Sequence, residues 1–239
     1  MIVARTQRAD LHERADAILD AATELMLTTA ARDLRIEEVA RLAGVGKGTV
    51  YLHWASREEL MLAVGAREAV AMLATVISAM RADPIEVALH RYLRRHFLEA
   101  MRRPILHSLF VTDHTGLGAL ADHPARVRLA EAKLRAAHDH LAALREHRLL
   151  RPGLHPVDVD FSAQAIAYGF FAATPLLSGD ARLTLDHRAD QLADVIRRSF
   201  EPARPPAPER YAAAAPRVVD AFERLRNEFR RTAYGAAAD

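Results

Sequence analysis

Gly44, Gly46 and Gly48 fall within five residues in the stretch AGVGKGTVYLHW, residues 43–54, with Lys47 between the last two. Glycines around a lysine suit phosphate binding. The backbone N–H groups can approach an anion unobstructed, and the ammonium neutralises it. A nucleotide loop needs G-x-x-x-x-G-K-[ST] after a buried strand. With Gly46-Lys47 on the G-K pair, Arg41 stands where the first glycine belongs and Gly48 where the hydroxyl belongs. The preceding IEEVARLAG has helical spacing and the adjacent Glu37 and Glu38, which a buried parallel strand would not carry. The nucleotide reading fails, and the phosphate that remains to be considered is that of DNA.

Other chemistry-bearing residues do not assemble. The chain has 12 histidines and no cysteine. His138 and His140 point to different sides of a helix, and His90 and His96 are poorly aligned, so no metal site is expected. Asp113-His114 has no serine partner in sequence, so no triad follows. No cofactor motif is present and none is expected. Lack of cysteine excludes disulfides, zinc fingers and thiol nucleophiles, and suits a reducing cytoplasm, the expected location. The first residues have no apolar core of a signal peptide, and charges break the apolar stretches short of a membrane span.

The elements that must position the glycine-rich stretch are helical. Ala15, Ile18, Leu19, Ala22 and Met26 predict an amphipathic helix over about 9–28. IEEVARLAG reads as a second helix stopped at Gly44, and 47–53 as a third. Ser56 with Glu59 forms a capping box that opens a fourth, running to about Met80. Pro84 is expected in the first turn of the next, whose apolar face is Ile85, Ala88, Leu89, Tyr92, Leu93, Phe97 and Ala100. A short helix follows Pro104, HTGLGAL is a loop, and a charged helix covers 124–148. The segment from 156 to 178 is apolar nearly all round, and 186–200 is a further helix. Five of the 11 prolines lie in 202–216, which marks a linker before a helical stretch carrying Phe222, Leu225 and Phe229.

Two short helices joined by a glycine turn make a helix–turn–helix. Ala40 allows close approach, Val45 plugs the turn and Val50 faces the core. Residues 1–60 carry 8 basic and 10 acidic side chains, whereas 44–57 carries two basic and no acidic ones. Any DNA-binding face is therefore local rather than a bulk basic domain.

The segment IEEVARLAGVGKGTVYLHWASREELMLAV resembles the DNA-binding region of the tetracycline-repressor-like (TetR) family of bacterial transcriptional regulators. Ala43, Gly44, Val45, Lys47, Gly48, Thr49, Val50, Tyr51, His53, Ser56, Glu58 and Leu60 carry the resemblance. Gly46 replaces a capping hydroxyl, Trp54 the usual Phe, and Arg57 a lysine. The resemblance implies an all-α fold: an N-terminal three-helix helix–turn–helix domain over 1–55 and a larger helical ligand-binding and dimerisation domain over 56–201; the Pro-rich linker and extra C-terminal helix of 202–239 go beyond the usual family length. It implies a homodimeric regulator, most often a repressor, whose partners are double-stranded operator DNA and a small apolar effector. Lys47 and Thr49 would reach base edges, Gly48 would lie in the same face, and Tyr51, His53 and Arg57 would hold phosphates. Arg5 and Arg8 are candidates for a phosphate-contacting arm. Phe97, Met101, His107, Phe110, Gln164, Tyr168, Phe171 and Thr174 are candidate effector contacts, and the helices near 156–178 and 186–200 the dimer pair. Tyr51 as a spacer between helices, and Trp54 as core, are the plain structural alternatives. An all-helical enzyme, or an interaction module whose helix–turn–helix is silent, are the rival functions.

Overall fold

A computed structural model describes residues 2–28, 34–111, 123–177 and 179–235, without the side chains of 2–10 and 109–111. Asp113 and His114 lie outside the described residues, as do the side chains of Arg5, Arg8 and Phe110. The described residues are largely helical and contain no strand. In order they form α1 (Ile2–Thr28), α2 (Ile36–Leu42), α3 (Lys47–His53), α4 (Arg57–Ala82), α5 (Leu89–Met101), α6 (Pro104–Val111), α7 (Pro124–Glu146), α8 (Pro156–Leu176), α9 (Leu185–Phe200) and α10 (Pro208–Tyr234).

Two compact units result. One draws on the described residues within 1–70, 104–129 and 227–239, the other on those within 71–103 and 130–226. In the first, Ile18, Leu19 and Ala22 of α1 share a core with Val39 and Ala40 of α2, Val50 of α3, Trp54, and Leu60, Met61 and Val64 of α4. Each fully buried Leu or Ile in such a core contributes about 1.5–3 kcal/mol. The second unit is built on α5 packed along α9, with α8 against both.

Three sequence expectations change. Pro84 opens a 3-10 turn, Pro84–Val87, whose N–H at Ile85 is capped by the Asp83 carboxylate at 3.1 Å; the α-helix begins only at Leu89. Helix α8 is two-sided: Val159, Ala163, Ala167, Phe171 and Thr174 are buried, while Val157, Phe161, Tyr168 and Leu176 are exposed. The last helix starts at Pro208, not Pro216. Pro216 costs it a hydrogen bond, but buried Tyr211, Ala214 and Ala215 on the preceding turns hold the helix through the proline. The linker shrinks accordingly to 201–207. Helix α4 is long and apolar enough by composition to cross a membrane, yet Arg67 and Glu68 interrupt it and 61% of its most apolar window is buried, as in a core helix.

The second unit holds an aromatic cluster. Tyr92 lies 4.8 Å from Phe222 and 5.2 Å from His140, ring to ring. His140 is buried, and its Nε2–H donates to the Val87 carbonyl at 2.7 Å. Burial holds its pKa at about 4, below the usual 6.5. The folded ring therefore stays neutral where the unfolded ring takes up a proton. Its contribution to stability is complete above pH 6.5 and is lost as pH falls from there toward 4. Urea unfolding at pH 7 and pH 5 is expected to show a loss of roughly 2 kcal/mol from this ring. His140→Gln keeps a donor to Val87 without a titrating group and removes this ring's share, leaving that of His96, which burial also holds at about 4.

Candidate nucleic-acid interface

The end of α2 explains why a glycine stands at 44. Gly44 has φ +67°, in the left-handed region. Its N–H donates to Arg41 O at 3.3 Å, and the Val45 N–H to Ala40 O at 2.9 Å. These paired bonds form a Schellman closure, which turns the chain sharply into α3. Gly46 then takes the N-cap of α3 in extended geometry, with no side chain to cap it; the Thr49 N–H donates to Gly46 O at 2.9 Å. Val50 is fully buried and Trp54 is 5% exposed, so one face of α3 is anchored. The Trp54 N–H, bonded to Val50 O at 2.9 Å, ends the helix.

The other face is open. Lys47, Gly48, Tyr51 and Leu52 are exposed, and Thr49 and His53 are half-buried at its edges. Tyr51 is 44% exposed, so it is not a spacer between helices. The Lys47 ammonium is bonded to the Glu37 carboxylate of α2 and sits 5.8 Å from the Tyr51 ring centroid. That bond holds the Glu37 carboxyl below its ordinary range and raises Lys47 above its own. Burial, then the nearby Arg14, lowers the His53 pKa, so its imidazole is neutral at pH 7 and offers a hydrogen bond rather than a charge. Arg57 Nε and a terminal nitrogen donate to Glu58 at 3.0 and 2.8 Å.

The start of α4 is held as its capping residues predict. Ser56 Oγ accepts from the Glu59 N–H at 3.1 Å, and Glu59 Oε2 accepts from the Ala55 N–H at 2.9 Å. The other Glu59 oxygen faces His123 Nε2 at 2.8 Å.

Two residues of this face escape the sequence reading. Leu52, 87% exposed, is the most open large apolar side chain on it, and its place opposite Val50 on a seven-residue helix is the signal that marks it. Glu37 precedes Lys47 by ten residues, a spacing no single-helix rule connects.

Of the candidate effector residues, the second unit brings Phe97 and Phe171 together, both buried, with ring centroids 5.0 Å apart. Thr174, one turn beyond Phe171, spends its hydroxyl proton on Phe170 O at 2.7 Å. Gln164 and Tyr168 lie on the exposed side of α8, where Gln164 donates to Asp160 at 2.8 Å. Met101 is half-buried, and His107 belongs to α6 in the first unit. A cleft of about 180 Å³ in the second unit is lined by Glu86, Arg91, Arg94, Arg95, Glu99, Arg102 and Asp186, none of them an expected contact. Its arginines are met by Glu86 and Asp186, with Arg95–Glu86 at 2.7 Å. Among the described residues, no group of three or more His, Cys, Asp or Glu is placed to hold a metal.

A buried-backed, solvent-facing second helix after a glycine turn defines a helix–turn–helix protein of all-α architecture. The profile of the bacterial regulatory proteins, tetR family, matches residues 18–64. Over 62 residues it is 36% identical to the HTH-type transcriptional regulator SrpR of Pseudomonas putida, covering 26% of this chain and 29% of that one. It is also 36% identical over 62 residues to the uncharacterized HTH-type transcriptional regulator TtgW, likewise of Pseudomonas putida, covering 26% of this chain and 46% of that one. The matches thus span less than half of either relative. The fold is similar to that of NalD, the secondary repressor of the MexAB-OprM multidrug efflux pump in Pseudomonas aeruginosa. There the TM-score is 0.59 at 20% identity, over 81% of this chain and 100% of that one.

Proposed function

We propose that the chain is a cytoplasmic, homodimeric transcriptional regulator that binds operator DNA through α3 and leaves it when a small, largely apolar effector binds the helical region. The observation that supports this reading best is the two-sided α3. Val50 and Trp54 fix it to the core while Lys47, Gly48, Thr49 and Tyr51 face outward or stand at the edge of that open face. Residues 1–55 act as the DNA-binding domain, 56–201 as the effector and dimerisation domain, and 202–239 as an addition to both. Lys47 and Thr49 read base edges, whereas Tyr51, His53 and Arg57 hold phosphates and so set position. Two copies present two recognition helices about 34 Å apart, one helical turn of DNA.

Release follows from population shift. The effector binds better to a conformer whose recognition helices are misplaced, and it moves the equilibrium by that difference in affinity alone. Helix α4 serves as the hinge, and Phe97, Phe171 and Thr174 lie nearest the effector. Equal effector affinity for free and operator-bound protein would sink this mechanism.

Selection of duplexes from a randomised pool, followed by binding at several salt concentrations, tests the DNA reading. Lys47→Ala is expected to change base preference and to weaken the selected site by about 1–3 kcal/mol. Glu37→Gln frees the Lys47 ammonium and removes an anion from the DNA face, so it is expected to tighten binding to every duplex. A selection that enriches no sequence, with Lys47→Ala indistinguishable from the parent, would refute the assignment.

A further inference from the structure

The last turn of α10 is built into the same unit as the recognition helix. Tyr234 Oη donates to Asp16 Oδ1 of α1 at 2.8 Å, and its ring stacks on His12 at 5.0 Å with the planes 16° apart. Ala233 is fully buried and Phe229 nearly so. Glu228 faces Arg128 of α7 at 3.7 Å. Asp16 is also approached from α4, by Arg67 at 3.9 Å; the same guanidinium bonds Asp20 at 2.8 Å and Thr23 Oγ1 at 3.1 Å. Helices α1, α4 and α10 therefore meet on one carboxylate. Helix α1 packs on α2, and α2 on α3, so the register of α1 against α4 is passed directly to the recognition helix.

We infer that Tyr234 is a positioning residue for operator binding: the end of α10 holds α1 against α4 in the register that presents α3 to DNA. This rests on the DNA-binding reading above. Burial and the adjacent Asp16 push the Tyr234 pKa up to about 12, so the phenol remains a donor across the physiological range. The contact is made by the tail, not by the helix–turn–helix motif itself.

The test uses the full chain and a duplex selected by the parent protein from a randomised pool. Tyr234→Phe, Asp16→Ala, the double variant and Asp16→Asn are compared for duplex affinity at several salt concentrations. Amide exchange in α1 is followed without DNA. Tyr234→Phe and Asp16→Ala are each expected to weaken binding about 3–10-fold, the net worth of one ordinary, partly solvated hydrogen bond. The double variant should be no weaker than the worse single one. Asp16→Asn keeps an acceptor for the phenol and should restore most of the affinity. The salt slope should not change, because no phosphate contact is lost; removing such a contact lowers it by about one. Exchange in α1 should speed up in Tyr234→Phe. Unchanged affinity, with or without faster exchange, overturns the positioning role, as do additive losses. If the parent protein selects no duplex, the DNA-binding reading fails, while unaltered exchange in Tyr234→Phe removes the contact itself.

Discussion

Trp54→Ala is expected to destabilise the N-terminal unit by about 3–5 kcal/mol and to abolish duplex binding, whereas Trp54→Phe retains both. Trp54 is the only tryptophan in the chain and is 5% exposed. It lies in one core with Val50 of α3 and with Leu60, Met61 and Val64 of α4. Its backbone N–H also closes the last turn of α3. Removing the indole leaves a cavity where the chain passes from α3 to α4, and a short helix cannot survive there on its own propensity. Phenylalanine leaves a smaller gap and preserves the aromatic wall; a loss near ~1 kcal/mol fits the smaller volume change. Thermal unfolding followed by far-ultraviolet circular dichroism, with duplex titration below the transition, measures both effects. Wild-type affinity in Trp54→Ala at a temperature where it is folded would show that α3 keeps its place without the indole, against the packing argument.

The helix–turn–helix was legible because its determinants are local. Gly44 is read from the left-handed closure of α2, Ser56 and Glu59 from a cap three residues long, and Val50 as the core-facing residue of a short helix. Each depends on neighbours within a turn or two of helix. The pairing of Lys47 with Glu37 depends on how two helices cross, which no spacing rule encodes. Helix α8 misled for a related reason. A stripe of exposed Phe and Leu reads the same as a stripe of buried ones until the partner elements are placed. Pro216 misled in the opposite way: a local rule against proline in helices yielded to burial of the turns on either side. The effector contacts were the least legible, because buried aromatic side chains serve core and pocket equally well. Phe97 and Phe171, packed on each other at 5.0 Å, could be named without any indication of which role they play.

On the proposed homodimer, Phe161→Asp is expected to give a monomer and to cost about 10²–10⁴-fold in operator affinity. Phe161 is 75% exposed, and Val157, Gln164, Ala165, Tyr168 and Leu176 fall on the same side of α8, opposite its buried Val159–Ala163–Ala167–Phe171 side. Exposed Leu177 extends the apolar surface past the helix end, and Val195 adds an exposed apolar side chain on α9. Monomers rarely leave an apolar stripe of this length in water. Ala165 and exposed Gly169 allow a second helix to come close, and a two-fold axis lets the same stripe cover itself. A carboxylate at 161 would be buried in such an interface without a counter-charge, a penalty that association cannot offset. Each half-site would then be bound by a separate molecule, and the gain from linking two recognition helices disappears. Leu134→Asp, on the exposed side of α7, controls for an added surface charge and should leave both mass and affinity unchanged. Light scattering after size exclusion reads the mass directly. A dimer that survives Phe161→Asp would move the interface off α8 and leave the exposed stripe in need of another partner.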